Sequence, residues 1–341
     1  MALDGHALRD LIAEHGVEII DKGHGVAKGN FNIKCPMCGA ADGGHHMGIS
    51  LEKGWWGCWR NSDHRGRSPV RLMVAILGKP VWEVRRLLGI HSAPQLDTFR
   101  GVRERMQRRS AVVEVESRVQ RLQPYDEFRA FKRNASSERF WQYLEGRGFT
   151  GHAAPGVVHQ FDLMYATSGP FRDRIVLPFY YQGDLVTWTG RSIHADERLR
   201  YRDLEQDSSV LFKNEVLYNY DGAAHGGRAL VLLEGPFDVV KGDWAGIDYG
   251  VRCVGLGTNN LSEAQLVQLV ELSDAFDATY IGMDTPTRFA KMASYRMMQK
   301  IRGAVDARML EGLEALGKDV GGASIRQVAD LFRRVSSESI Q

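Results

Sequence analysis

From Ala229 onward, short apolar runs alternate with helical stretches: ALVLL, then DVVKGDWAG, VRCVGLG, SEAQLVQLVELS, ATYIGMD and FAKMASYRMMQKIRGAV. Alternation of this kind predicts a parallel α/β sheet. Upstream the pattern differs. SERFWQYLEGRG has helical spacing, while RIVLPFYYQGDLVTWTGRSI reads as two strands around a QGD turn, followed by SVLFKNEVLYNYDGA. Near the start, HALRDLIAEHG opens as a helix. PVRLMVAILG and PVWEVRRLLG each begin at proline and end at glycine, the expected punctuation of helices.

These patterns divide the chain into a cysteine-bearing unit over 1–90, a linker over 91–124, a mixed unit over 125–227, a parallel-sheet unit over 228–305 and a C-terminal helical segment over 306–341. The linker contains RGVRERMQRRSAVVEVESRVQR, with seven arginines against three glutamates, polar enough for a solvated connection. No internal repeat is visible.

At 341 residues and 43% hydrophobic, the chain fills real cores and is not disordered. Its apolar runs are too short to span a bilayer and its first residues lack a signal-peptide pattern, so a soluble cytoplasmic protein is expected. A net charge of +2 excludes a general polycation, although charge is unevenly placed. Three of the four cysteines crowd between Cys35 and Cys58, which suggests metal ligation in a reduced compartment; Cys253 stands apart.

Cys35 and Cys38 form a CxxC knuckle, nineteen residues intervene, and Cys58 is followed by five residues and His64. Two turns with two ligands each close a tetrahedral Zn²⁺ site, so a zinc ribbon is expected, with His64 as the favoured fourth ligand and His45 and His46 as alternatives. Zinc binding would contribute folding energy to a module with little core of its own. Around the second knuckle, Trp55, Trp56 and Trp59 interleave with Lys53, Arg60, Arg65 and Arg67. Aromatic faces among cations suit unpaired bases and their phosphates, so Lys53, Trp55, Trp56, Trp59 and Arg60 are a candidate single-stranded-DNA surface; at least one tryptophan is expected in the ribbon's core.

ALVLLEGPFDVVKG places Glu234 at a strand end and Asp238 in the following helix. Strand ends with a tight glycine turn into a helix are where α/β sheets bind charged ligands. ATYIGMD should deliver Asp284 to the same sheet edge, and LGKDVGG offers Asp319. Together these acids suit Mg²⁺, which takes carboxylates and water and bridges to phosphates.

The chain resembles bacterial and phage primases of the DnaG type over nearly its whole length. The zinc ribbon is similar to the family's N-terminal zinc-binding domain, RIVLPFYYQGDLVTWTGRS to its RI-x-x-P…GR segment, and LFKNEVLYN to its F-x-K-x-x-x-LY motif. EGPFDVV and GLGTNNLSEAQ resemble the TOPRIM signatures, in which a glutamate, a later D-x-D and a K-D motif gather divalent metals. The resemblance implies an α+β and α/β multidomain fold: zinc ribbon, basic α/β subdomain, TOPRIM parallel sheet and short C-terminal helices. It implies Glu234, Asp238, Asp284 and Asp319 as the catalytic acids, with Glu234, Asp284 and Asp319 on Mg²⁺ or Mn²⁺. Arg174, Arg191, Lys213 and Lys318 would bind template and incoming ribonucleoside triphosphates. In the D-x-D position this chain has Asp284, Thr285 and Pro286, so one expected carboxylate is missing.

The activity implied is synthesis of short RNA primers on single-stranded DNA by metal-dependent nucleotidyl transfer. No G-x-x-x-x-G-K-[ST] occurs, since Gly78-Lys79 precedes proline and Gly317-Lys318 precedes aspartate, so a separate helicase is expected. The short stretch after Asp319 suggests a phage or mobile-element protein. Two other readings are a zinc-ribbon single-strand-binding or helicase-associated factor that has lost catalysis, and a TOPRIM nuclease or topoisomerase; the latter leaves the RIVLP and LFK segments unexplained.

Overall fold

Three sheets organise the chain, and three strands of the parallel one are apolar runs that the pattern marks. The structure, a computed structural model, describes residues 5–90, 122–258, 260–283, 295, 297–316 and 319–338. Asp284, Pro286, Lys318 and the 91–121 part of the expected linker lie outside those residues.

In the first unit, helix α1 (Gly5–Glu14) precedes an antiparallel sheet of β1 (Asn30–Ile33), β2 (Met47–Ser50), β3 (Trp56–Cys58) and β4 (Arg65–Gly66), in that order. Helices α2 (Pro69–Leu77) and α3 (Val81–Leu87) follow. The Ser68 hydroxyl caps α2 by accepting the Arg71 N–H, with Pro69 in the first turn. At its other end Gly78 takes φ 62° and donates to the Val74 carbonyl, a left-handed conformation that favours glycine.

The middle unit is a five-stranded antiparallel sheet: β5 (Phe128–Ala130), β6 (Met164–Ala166), β7 (Arg174–Tyr181), β8 (Asp184–Ser192) and β9 (Tyr201–Asp203), in that order. Helices α4 (Glu138–Gly146) and α5 (Ala153–Gln160) pack beside it. The expected QGD turn joins β7 to β8 through Gln182 and Gly183, both at positive φ. The Asp221 carboxylate accepts both turn N–H groups, at 2.8 and 2.7 Å.

After the short helix α6 (Tyr220–Ala223) comes the expected parallel sheet. Strands β10 (Ala229–Leu233), β11 (Val251–Gly255), β12 (Ala278–Gly282) and β13 (Ala307–Met309) lie in the order β11-β10-β12-β13, all parallel. Crossovers run through α7 (Pro236–Gly246) and α8 (Glu263–Ser273), and α9 (Ile325–Glu338) packs on α7. The segment after residue 305 thus adds an edge strand as well as a helix. No described helix is long and apolar enough to cross a membrane.

Alternation along β10 explains how one sheet serves two cores. Leu230 and Leu232 join Leu266 and Leu269 of α8 and, from the first unit, Val70, Met73 and Val81. Ala229, Val231 and Leu233 join Phe237, Val240 and Phe332 and, from the five-stranded sheet, Ile175, Leu177 and Phe179. The first unit is therefore docked on the parallel sheet. Arg71 pairs with Asp277 and Arg85 with Asp274, while Arg228 meets Asp63 at 2.9 Å. The Val81 N–H donates to the Ala224 carbonyl, and Trp82 stacks on Tyr220 with ring centres 5.6 Å apart. Arg228 and Asp277 immediately precede β10 and β12, so the module binds the amino ends of the strands.

Candidate functional site

The ligand atoms of Cys35, Cys38, Cys58 and His64 all lie within 4.8 Å of one another. His64 Nδ1 stands 3.5 Å from Cys35 Sγ and 3.3 Å from Cys38 Sγ, and the Cys38 and Cys58 sulfurs are 3.9 Å apart. Zn–S bonds of about 2.3 Å in a tetrahedron put sulfurs roughly 3.8 Å apart, so the donors fit that ion. His45 instead meets Glu18 at 3.1 Å, and His46 bonds Asp42. Asp42 also accepts the Cys35 N–H at 2.7 Å, a brace on the first knuckle that sequence spacing does not announce. Burial pushes the Cys35 thiol up to about 12 and lowers the His64 imidazole, a direction that favours its neutral, ligating form.

The aromatic set divides. Trp56 is 3% exposed, and its indole donates to the Ser68 carbonyl, so it belongs to the core and not to a base-stacking surface. Its place follows from strand alternation, which puts Trp56 and Cys58 inside and Gly57 between them. Trp55 and Trp59 are 45% and 55% exposed. Lys53 and Arg67 lie over the Trp55 ring at 4.9 and 4.5 Å, and Arg60 donates to the Ala41 carbonyl.

At the other end of the parallel sheet, Leu233, Gly255 and Gly282 stand side by side in register. Glu234 follows β10 directly, and in the sequence Asp284 comes two residues after β12. The Glu234 carboxylate is half-buried. Burial, and then the charge of Asp238, raise its pKa above the usual carboxylate value. Asp238 has a different situation: its oxygens accept the N–H groups of Gly235 at 3.1 Å and Gly321 at 2.7 Å. Asp319 is exposed, at the head of a turn whose Gly322 and Ala323 N–H groups return to its carbonyl at 3.1 Å. Among the described residues, the cysteine cluster is the one group of three or more such side chains with ligand atoms within 4.8 Å, so Glu234, Asp238 and Asp319 do not close to that spacing.

Cations approach the same edge. The Tyr218 and Gly255 backbones exchange hydrogen bonds at 2.8 and 3.0 Å, which brings the LFKNEVLYN segment to the end of β11. Lys213 then runs over Gly257: a Cβ there would sit 3.3 Å from Lys213 Cγ. The Gly257 N–H donates to the Glu234 carbonyl at 3.1 Å, so one glycine turn separates that lysine from that glutamate. Lys213 Nζ pairs with Asp203 at 2.6 Å. Arg191 donates to the Tyr143 hydroxyl at 3.2 Å and lies over the Tyr201 ring at 4.8 Å.

Arg174 faces inward. Its guanidinium donates to the Gly190 and Arg200 carbonyls at 3.1 and 3.2 Å and is buried, which makes it a brace between β8 and the loop after it. Arg147 and Lys241 were not singled out by spacing. Arg147 lies over Phe237 at 4.8 Å and donates to the Gly321 carbonyl, and Lys241 is fully buried. The available signal was a lone lysine inside the apolar stretch of α7.

Zinc-type donors thus stand at one end of the parallel sheet and an acidic, cation-flanked strand edge at the other. No family model matches the chain. Its similarity is to DNA primases: it is 28% identical to the DNA primase of Mycoplasma pneumoniae over 138 residues, 40% of this chain and 21% of that protein. With the DNA primase of Staphylococcus epidermidis it shares 28% identity over 152 residues, 42% of this chain and 25% of the relative. The matched stretch spans about a quarter or less of these relatives. Among solved structures, a DnaG primase catalytic domain bound to single-stranded DNA aligns with a TM-score of 0.47 and 19% identity, covering 60% of this chain and 73% of that one.

Proposed function

We propose that the protein is a DNA primase that synthesises short RNA primers on a single-stranded DNA template. The observation that carries this reading is the turn at Gly257, which sets the Lys213 stem on one side and the Glu234 backbone on the other. Nucleotidyl transfer needs both signs at one place. A 3′-hydroxyl attacks an α-phosphate, the P–O bond to pyrophosphate breaks, and negative charge must be held throughout. Glu234 and Asp319, with Asp284 from the sequence, would hold Mg²⁺ or Mn²⁺, which when bound lowers the charge of the attacking oxygen and the leaving group. Lys213 and Arg191 neutralise phosphates of template or triphosphate. Lys318 has the same expected role from its sequence position.

The half-buried Glu234 suits a ligand in waiting. Its carboxylate carries the cost of burial without a compensating hydrogen bond among the described residues, and a cation would relieve that cost. At the amino end of the sheet, Zn²⁺ in the Cys35, Cys38, Cys58 and His64 site would hold the ribbon together and present Trp55 and Trp59 to the template. A separate replicative helicase would supply the unwound strand.

The test is incubation of the full chain with single-stranded DNA, labelled ribonucleotides and Mg²⁺ or Mn²⁺. Short labelled RNA supports the primase. DNA binding without product supports the catalytically silent factor, for which Pro286 in place of a carboxylate is the argument.

A further inference from the structure

Lys241 is the one lysine among the described residues whose side chain is wholly removed from solvent, and its surroundings are specific. Its ammonium donates to three backbone carbonyls: Arg147 at 2.6 Å, Gly321 at 2.7 Å and Ala323 at 2.6 Å. An ammonium has three donors, so this set satisfies it. Two of the acceptors belong to the turn that begins at Asp319. One helical turn earlier on α7, Asp238 accepts the Gly321 N–H at 2.7 Å. A single helix face therefore grips Gly321 by both its N–H and its carbonyl. Arg147 adds a second donor to the Gly321 carbonyl at 3.1 Å. The turn closes on the Asp319 carbonyl through Gly322 and Ala323, so the position of Asp319 is inherited from this grip.

We propose that Lys241 is a positioning residue for divalent-cation binding: through the Gly321 and Ala323 carbonyls it fixes the turn that presents Asp319. The inference rests on the reading of Glu234 and Asp319 as ligands given above. Groups that orient ligands typically contribute ten- to a hundredfold to metal affinity, although they never touch the ion. A buried ammonium suits the task because three charge-assisted bonds resist the rotation a single neutral contact would allow.

The experiment is Mn²⁺ titration of the full-length protein, with free Mn²⁺ followed by electron paramagnetic resonance, alongside the Mn²⁺ concentration for half-maximal primer synthesis. The proteins are the wild type, Glu234→Ala, Asp319→Ala, Lys241→Met and Arg147→Ala, each checked by thermal melting. Lys241→Met is expected to weaken Mn²⁺ binding on the order of tenfold, approaching the loss in Asp319→Ala, with most of the rate recovered at saturating Mn²⁺. A general loss of folded protein would lower the rate without moving the half-saturation point. If Asp319→Ala weakens binding while folded Lys241→Met stays within about twofold of wild type, the positioning role is overturned and the ligand reading stands. If neither Glu234→Ala nor Asp319→Ala changes binding, the ligand reading fails and the positioning role with it. Should Lys241→Met not fold, Arg147→Ala decides: a smaller shift in the same direction supports the grip on Gly321, and an unchanged titration overturns it.

Discussion

The Asp238 carboxylate accepts the backbone N–H of Gly321 at 2.7 Å, joining positions 83 residues apart, while its other oxygen accepts the Gly235 N–H at the head of α7. Glu234, four residues earlier, has neither bond. Two acids of the same motif thus do different work, and substitution separates them. Asp238→Ala removes a helix cap and leaves an N–H without its acceptor, at a cost of about 1–3 kcal/mol in unfolding free energy. Glu234→Ala removes a half-buried carboxylate whose pKa is already raised by burial, so its melting temperature should equal or exceed that of the wild type while primer synthesis is lost. Calorimetry and a primer assay on both variants check the contrast.

The tryptophans divide in the same manner. Trp59→Ala leaves the ribbon's core intact and is expected to weaken single-stranded-DNA binding by about 1–3 kcal/mol if a base stacks there. Trp56→Ala empties a buried site beside the zinc cluster and should cost about 3–5 kcal/mol of the module's stability. Denaturant unfolding and fluorescence anisotropy with an oligonucleotide distinguish the two effects.

Docking places the 5–90 unit at the amino ends of β10 and β12, whereas Glu234 lies at the carboxyl end. Strands of five residues separate these by roughly 16 Å. The ion pair Arg71–Asp277 is buried in that contact. Burial pushes the Asp277 carboxyl up to about 6 despite Arg71 beside it, and burial lowers Arg71, so both partners lose more to burial than pairing returns. The sign follows: with a folded value above the ordinary 3.8, the docked state binds more protons than the undocked state, so docking tightens as pH falls from about 7 through 6 toward 4. Limited proteolysis of the 1–90 unit across that range reads the trend. Replacing the pair with Arg71→Met and Asp277→Leu should leave docking equal or tighter and remove its pH dependence.

Metal removal has a local prediction. Chelation of Zn²⁺, or Cys58→Ser, should unfold β1 to β4, because the cluster ties the turn after β1 to the last residue of β3 and the residue before β4. Ile175, Leu177 and Phe179 of the five-stranded sheet pack in the other core, with Ala229, Val231 and Leu233 of β10, and that sheet should persist. Hydrogen exchange would show protection lost below residue 67 and retained in β7 and β8.

Much of this architecture is legible in the sequence because its signals are local. Pro69 and Gly78 bracket α2, Gln182-Gly183 turns a hairpin, and ALVLL, VRCVG and ATYIG carry the periodicity of buried parallel strands. The knuckle spacing marks Cys35, Cys38 and Cys58, and the fold selects His64 by giving His45 to Glu18 and His46 to Asp42. What the sequence does not show depends on distant partners. The resemblance implies Arg174 as a template or nucleotide ligand, yet one of its guanidinium nitrogens donates to the carbonyls of Gly190 and Arg200. Lys241 stands in an apolar stretch of α7, but its acceptors at residues 321 and 323 lie some eighty residues further on. Docking through Asp274 and Asp277 depends on arginines some two hundred residues earlier in the chain, a separation at which periodicity carries no information.

The most direct test compares wild type and Glu234→Ala on a single-stranded DNA template with labelled ribonucleotides and Mg²⁺ or Mn²⁺, with DNA binding measured on the same samples. Short RNA is expected from the wild type and none from the variant, with DNA binding retained in both. Primers of equal yield from both proteins, or no product from a wild type that binds the template, would overturn the primase reading.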